Sequence, residues 1–232
     1  AAATDGVAAT VGLLRQAINT PDAQGLTAAL ENLVIVVWAQ ATNHTFTHHG
    51  GPVNASVDRL DDTWAVVPQA LPSTAVWQEA VDRLAGVFGV TLPTRQLSGF
   101  TVERAGMELA RAAAERATAA AALVERLERV GADLGVAAPG GDRLRTARCA
   151  TDLLNALAGA DDDLARVEAL AAATIEPSAL ALGRSIASAA DLAARIDATQ
   201  FDIIRAALAL PEGEGLDVEL TARLEADEFV TA

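Results

Sequence analysis

Tyrosine and lysine are absent from the 232 residues, and cysteine and methionine occur once each, as Cys149 and Met107. All 17 basic residues are therefore arginine, against 31 acidic ones, for a net charge of −14. Such a surface repels phosphate backbones, and nucleic-acid binding ordinarily leaves a clustered basic footprint. The densest arginine group, Arg143, Arg145 and Arg148, spans only one or two helical turns, so nucleic acid is not an expected partner. A single cysteine excludes an internal disulfide and fits a reducing cytosol. Placed between Arg148 and Ala150 in an expected helix, Cys149 reads as a buried, inert thiol. Long apolar runs are missing too. The apolar stretch 26–38 is interrupted by Gln40, Asn43 and His44 before the roughly 20 residues that a bilayer span needs. Ala1 to Thr10 lacks the basic start and apolar run of a signal peptide. The chain lacks an initiator methionine and stops abruptly after Phe229-Val230-Thr231-Ala232, which suggests a piece excised from a longer polypeptide. Alanine fills roughly a quarter of the positions, far above ordinary usage. That excess reads as codon bias, so single alanines carry little information.

What is present centres on Gly25 to Val53, GLTAALENLVIVVWAQATNHTFTHHGGPV. Leu26, Leu30, Leu33, Val34, Ile35, Val36, Val37 and Trp38 put apolar side chains on nearly every face of a helix, which predicts burial all round. The segment runs into the only histidines, His44, His48 and His49.

Taken in order, the first helix is expected to start after Thr4 or Asp5, carry Val7, Val11, Leu14 and Ile18 on one stripe, and end at Thr20-Pro21. The apolar helix then runs from Pro21-Asp22 to about Thr42. The helical period disappears over 43–72. Thr45-Phe46-Thr47 and Trp64-Ala65-Val66-Val67 there suggest a two-stranded ribbon, or a loop pinned by Phe46 and Trp64. Ser73 caps a helix with Val76, Trp77, Ala80, Leu84 and Val87, closed by Gly89. A long helix follows from Thr101 to about Leu134, with Leu109, Ala113, Ala120, Leu123, Leu127 and Val130 on its stripe. Arg104–Glu108, Arg111–Glu115 and Glu125–Arg129 are spaced as on a solvated face. After the break at Ala138-Pro139-Gly140-Gly141, short helices are expected over 142–157, from Asp161-Asp162-Asp163 onward, and over 178–187, 189–196, 198–209 and 216–227. Pro177 suits a first helical turn; Ser188 and Asp197 read as caps. The fold class is all-α, a helix bundle or array with at most a small β-ribbon around residues 43–70. A boundary near Thr94–Ser98 divides it into 1–97 and 98–232.

Chemistry concentrates at the histidines. His44 and His48 would share a helix face, and three imidazoles with a free position can make a catalytic zinc site. The intervening Thr-Phe-Thr instead favours an extended backbone, which separates His44 and His48 by about 13 Å at the strand rise. Packing over tryptophan or capping of loop carbonyls is the plainer role. Gly50-Gly51 is too short for a phosphate cradle, and no G-x-x-x-x-G-K-[ST], G-x-G-x-x-G or G-x-S-x-G motif occurs. Asp161, Asp162 and Asp163 read as a helix cap. Glu212-Gly213-Glu214-Gly215 reads as a turn. Trp38, Trp64 and Trp77 read as core of the first half, with an aromatic facing a partner as the alternative. No residue is assigned a catalytic, cofactor-binding or metal-binding role, and no cofactor is expected.

The runs ENLVIVVWAQATNHTFTHHGGPV, LDDTWAVVPQALPSTAVWQEAVDRLAGVFGV, ADDDLARVEALAAA and ALGRSIASAA resemble a helical region of the large ATPase-like phage-resistance proteins of the BREX and phage-growth-limitation defence systems. The resemblance spans most of the chain without a catalytic motif. It implies a cytoplasmic fragment outside the nucleotide-binding core, whose partners are other domains of its parent or other defence proteins. The leading reading is a non-enzymatic scaffold or interaction fragment. A winged-helix-like DNA-contacting unit, built from the first helices and the 43–67 ribbon, is the alternative. A metal-dependent enzyme using His44, His48 and His49 comes third.

Overall fold

Where the chain order puts two helices ahead of a run of β-prone residues, the computed structural model shows a helix pair laid on a small sheet. It describes residues 9–133 and 142–208. The expected caps at Thr4 and Asp5, Val7, Leu134, the break at 138–141, the turn at 212–215 and the helix at 216–227 lie outside those residues. Two compact units emerge, one of residues 1–71 with 96–102 and one of 72–95 with 103–232, so each is discontinuous in sequence.

In the first unit the chain opens on strand β1 (Ala9–Thr10) and enters helix α1 (Val11–Ile18). The start of α1 is set by the Thr10 hydroxyl, which accepts a hydrogen bond from the Leu13 amide at 3.3 Å. Helix α2 covers Ala28–Ala41, seven residues shorter at its start than the expected run from Pro21. Gly25 adopts φ +65°, which breaks the helical path, and Thr27 then caps the Leu30 amide. Strands β2 (His44–His48), β3 (Gly51–Pro52) and β4 (Ala65–Pro68) follow. All pairings are antiparallel, in the order β1-β4-β2-β3, with Phe46 opposite Val66 and Ala9 also opposite Val66. The β element thus exceeds the two-stranded ribbon expected at 43–70. Two residues near the N-terminus add a strand, a length too short to leave a period in the sequence.

The helix pair and sheet enclose a core of Val11, Ile35, Ala39, Phe46, Trp64 and Val66. A polar tie crosses it. Asn32, only 8% exposed, accepts from Arg15 Nη2 at 2.5 Å and donates to the Val57 carbonyl at 2.7 Å. Arg15 also donates to the Leu60 carbonyl at 3.1 Å and pairs with Asp62 at 3.0 Å. Arg15 and Asn32 together fasten the long 53–64 connection to both helices, although Arg15 Nε is buried without a partner of its own. Asn43, at φ +54°, accepts from the Gly99 amide at 3.0 Å and so ties 96–102 into the same unit.

The second unit is helical: α3 (Thr74–Phe88), α4 (Gly99–Asp133, its first turn in the first unit), α5 (Asp142–Ala158), α6 (Asp163–Ala172), α7 (Ala179–Ala198) and α8 (Phe201–Leu208). α3 has the expected Ser73 cap and ends at Gly89 in the left-handed region, φ +67°. Its Trp77 is 1% exposed and donates from its indole N–H to the Arg95 carbonyl at 2.8 Å. On α4, Leu109, Ala113, Ala120 and Leu123 are buried as their spacing predicts, while Arg111 pairs with both Glu108 and Glu115 on the open face. Asp162 caps α6 through the Ala165 amide at 2.8 Å. The helices expected at 178–187 and 189–196 are one. Ser188 is not a cap; its hydroxyl donates back to the Arg184 carbonyl at 2.8 Å within an unbroken helix. Ser178 is the cap of α7, leaving Pro177 ahead of the cap and outside the first turn, and Asp197 pairs with Arg126 at 2.8 Å. No helix among the described residues is long and apolar enough to cross a membrane.

Candidate functional site

The histidines do not converge. His49 and Gly50 form the two-residue turn between β2 and β3, both at positive φ (+51° and +81°), the arrangement a tight hairpin demands. His48 precedes the turn and lies against His49, ring centroids 4.0 Å apart, both exposed. His44 opens β2 at the other end of the strand. Its ring stacks on Trp38 at 5.1 Å, and its Nδ1 lies 2.9 Å from the Thr42 hydroxyl. The neighbouring carboxylates are engaged elsewhere. Asp62 pairs with Arg15, and Asp61 accepts from both the hydroxyl and the amide of Thr63 at 2.7 and 2.8 Å. Those two bonds hold the Asp61 carboxyl below its ordinary pKa, the side-chain bond contributing most. Among the described residues no group of three or more His, Cys, Asp or Glu is placed to hold a metal ion.

Cys149 is half-buried rather than fully enclosed, and burial pushes its thiol pKa up, away from nucleophilic reactivity. The arginine group is dispersed into ion pairs: Arg145 with Glu176 at 3.6 Å and Arg148 with Glu128 at 2.8 Å. Arg143 borders a small depression with Leu123, Leu127, Leu192, Arg195, Ile196 and Thr199, about 120 Å³ in volume.

The feature that stands out is α2 itself. Burial all round is overturned: Leu30, Leu33, Val34, Val37 and Trp38 are 38–52% exposed, and only Asn32, Ile35 and Ala39 are buried. The cause is architectural. The sheet lies against one face of α2 and α1 is too short, at eight residues, to cover the rest. Between the two helices runs an open groove of about 270 Å³ lined by Leu14, Ala17, Ile18, Val34, Ile35 and Trp38. α2 carries no cation, and its one charged residue is Glu31. Exposed apolar surface gathered in this way makes α2 the candidate site. Sequence reasoning saw the apolar run but could not see which side it would leave open.

The helix–helix–hairpin order, with β4 between β1 and β2, is the architecture that the winged-helix-like alternative required. Its charge is not. In such units the second helix enters the major groove, and α2 offers the phosphates no arginine at all. Of the two arginines in residues 1–71, Arg15 and Arg59, the first is committed to Asp62.

Comparison with known proteins points the same way as the apolar texture of the sequence. No curated protein and no solved structure matches the chain. A family model does: the BREX System ATPase PglY protein 6th domain, over residues 81–232, from the middle of α3 to the end. With more than half of its length matched, the chain belongs to the family of the sixth domain of the BREX system ATPase PglY and is part of a phage-defence protein.

Proposed function

We propose that this chain is a non-enzymatic scaffold and interaction segment of its parent ATPase, lying outside the nucleotide-binding core. The observation that carries this reading is the apolar face of α2, from Leu30 to Trp38, exposed on a unit whose core is otherwise closed. The interaction it makes would pass nucleotide-driven movement from the ATPase core to neighbouring domains or to other defence proteins, by packing rather than by chemistry. The helical second unit, with its buried Trp77, Leu84, Leu109, Leu154 and Leu182, supplies the rigid body that such transmission needs. The compartment proposed is the cytoplasm.

Two measurements test it. The purified 232-residue chain is expected neither to bind nor to hydrolyse ATP. In the parent protein, Leu33→Asp with Val37→Asp is expected to lower phage protection at least tenfold at an unchanged level of folded protein. Hydrolysis by the chain alone, or full protection with both aspartates in place, overturns the proposal. The second reading, DNA contact by the first unit, is favoured only by its helix–helix–hairpin order. Salt-dependent DNA binding by the chain, weakened by Arg59→Ala, would put it first.

A further inference from the structure

We infer that the groove between α1 and α2 seats an amphipathic helix supplied in cis by the domain that precedes this one in the parent polypeptide, with basic residues flanking that helix's apolar ridge. The inference rests on the proposed interaction role and names the occupant.

Three observations carry it. The first is shape. The groove is open and almost wholly apolar, its sides formed by Leu14, Ala17 and Ile18 of α1 and by Val34, Ile35 and Trp38 of α2. Two packed helices backed by a sheet accept a third helix as ridges into a groove, its apolar side chains repeating at three and four residues. An extended strand would instead look for an open sheet edge to pair with, and the groove walls are helical, with their backbone groups already bonded.

The second is charge. Glu31 stands in the first turn of α2, and Asp22 lies in the connection from α1. The lining residues include no cation. A second copy of this chain, with its net charge of −14, would bring like charge to an acidic border, whereas a helix with arginines beside its apolar ridge would complement it.

The third is position. The matched family segment starts at Val81, so the groove-bearing residues 11–38 lie on its N-terminal side. The family description counts the matched segment as a sixth domain, which places a further domain of the same polypeptide on that side. A tethered helix acts at an effective concentration of order millimolar, enough to fill a groove of modest intrinsic affinity.

The test introduces Val34→Cys and, separately, Ala17→Cys, both lining the groove and exposed here, with Thr118→Cys on the outer face of α4 as the reference thiol. Each is made in the 232-residue chain and in the full parent polypeptide, and N-ethylmaleimide labelling at each position is followed by peptide mass spectrometry. The expected result is labelling of the two groove positions at least tenfold slower in the parent than in the chain, independent of protein concentration, with Thr118→Cys unchanged. Equal rates in chain and parent overturn the inference. So does protection of the isolated chain that grows with its own concentration, which identifies a second copy. Protection appearing only when other defence proteins are added places the occupant in trans; it overturns this inference and leaves the interaction role standing. Loss of that role is read separately, from phage protection by the Leu33→Asp, Val37→Asp parent.

Discussion

Three tryptophans in one half of a chain invite a single explanation, and the structure assigns them three. Trp77 is sealed, 1% exposed and hydrogen-bonded through its indole. Trp64, 7% exposed, sits with Phe46 in the core of the first unit, as expected of residues that pin the 43–72 region. Trp38 is 38% exposed, bracketed by the His44 ring on one side and the groove on the other. The reading of Trp38 as core of the first half is therefore reversed. Trp77→Ala should cost roughly 3–5 kcal/mol, as removal of a buried aromatic does. Trp38→Ala should cost about 1 kcal/mol or less, as a substitution near the surface does. Paired urea melts check this; a Trp38→Ala midpoint shifted as far as that of Trp77→Ala would show the indole to be core.

At the scale of elements, the contacts that decide packing are made by small residues. α3 and α7 approach so closely that a Cβ on Gly183 would collide with the Val87 carbonyl, and one on Gly86 would come within 3.0 Å of the Ala179 side chain. Alanine is otherwise favoured in helix interiors over glycine by about 1 kcal/mol, so on propensity alone Gly183→Ala should stabilise. Here the steric term wins, because the opposing atom is backbone and cannot swing aside. Gly183→Ala is expected to destabilise the second unit by roughly 1–3 kcal/mol, the usual cost of overpacking. A thermal melt decides the sign, and a raised Tm would mean that α3 and α7 are free to separate. Arg83 works at the same scale. It donates to the Leu170 and Ala173 carbonyls at 3.0 and 2.5 Å, satisfying the C-terminal end of α6 while pairing with Glu79 on its own helix.

For the whole molecule the governing quantity is charge. At −14 with dispersed arginines, the compact state is strained by self-repulsion that the unfolded chain relieves. Exposed ion pairs such as those of Arg111 with Glu108 and Glu115 offset little of that repulsion. Screening at 0.15 M salt, with a Debye length of about 8 Å, weakens the repulsion between distant carboxylates more than it weakens those close pairs. Raising sodium chloride from low to physiological concentration should therefore raise the Tm. A Tm that falls with salt would show the ion pairs to outweigh the repulsion.

What the sequence determined by itself is what short-range physics controls. Helical spacing from Thr74 to Phe88 and along α4, the caps at Ser73 and Asp162 and the stop at Gly89 all depend on residues within four positions of one another. Apolar texture also carried the family, which the matched segment 81–232 shows. Tertiary structure alone decided the rest. β1 exists only because Ala9 and Thr10 meet Val66 and Ala65 more than fifty residues away. Arg15 becomes the fastening of the 53–64 connection only when Asn32, Leu60 and Asp62 arrive around it. The exposed face of α2 is the plainest case. A run that is hydrophobic on every side states that apolar surface must be covered, but not by what. The sheet covers Ile35 and Ala39, while Leu30, Leu33, Val34, Val37 and Trp38 are left open because neither the sheet nor the short α1 of their own unit covers them.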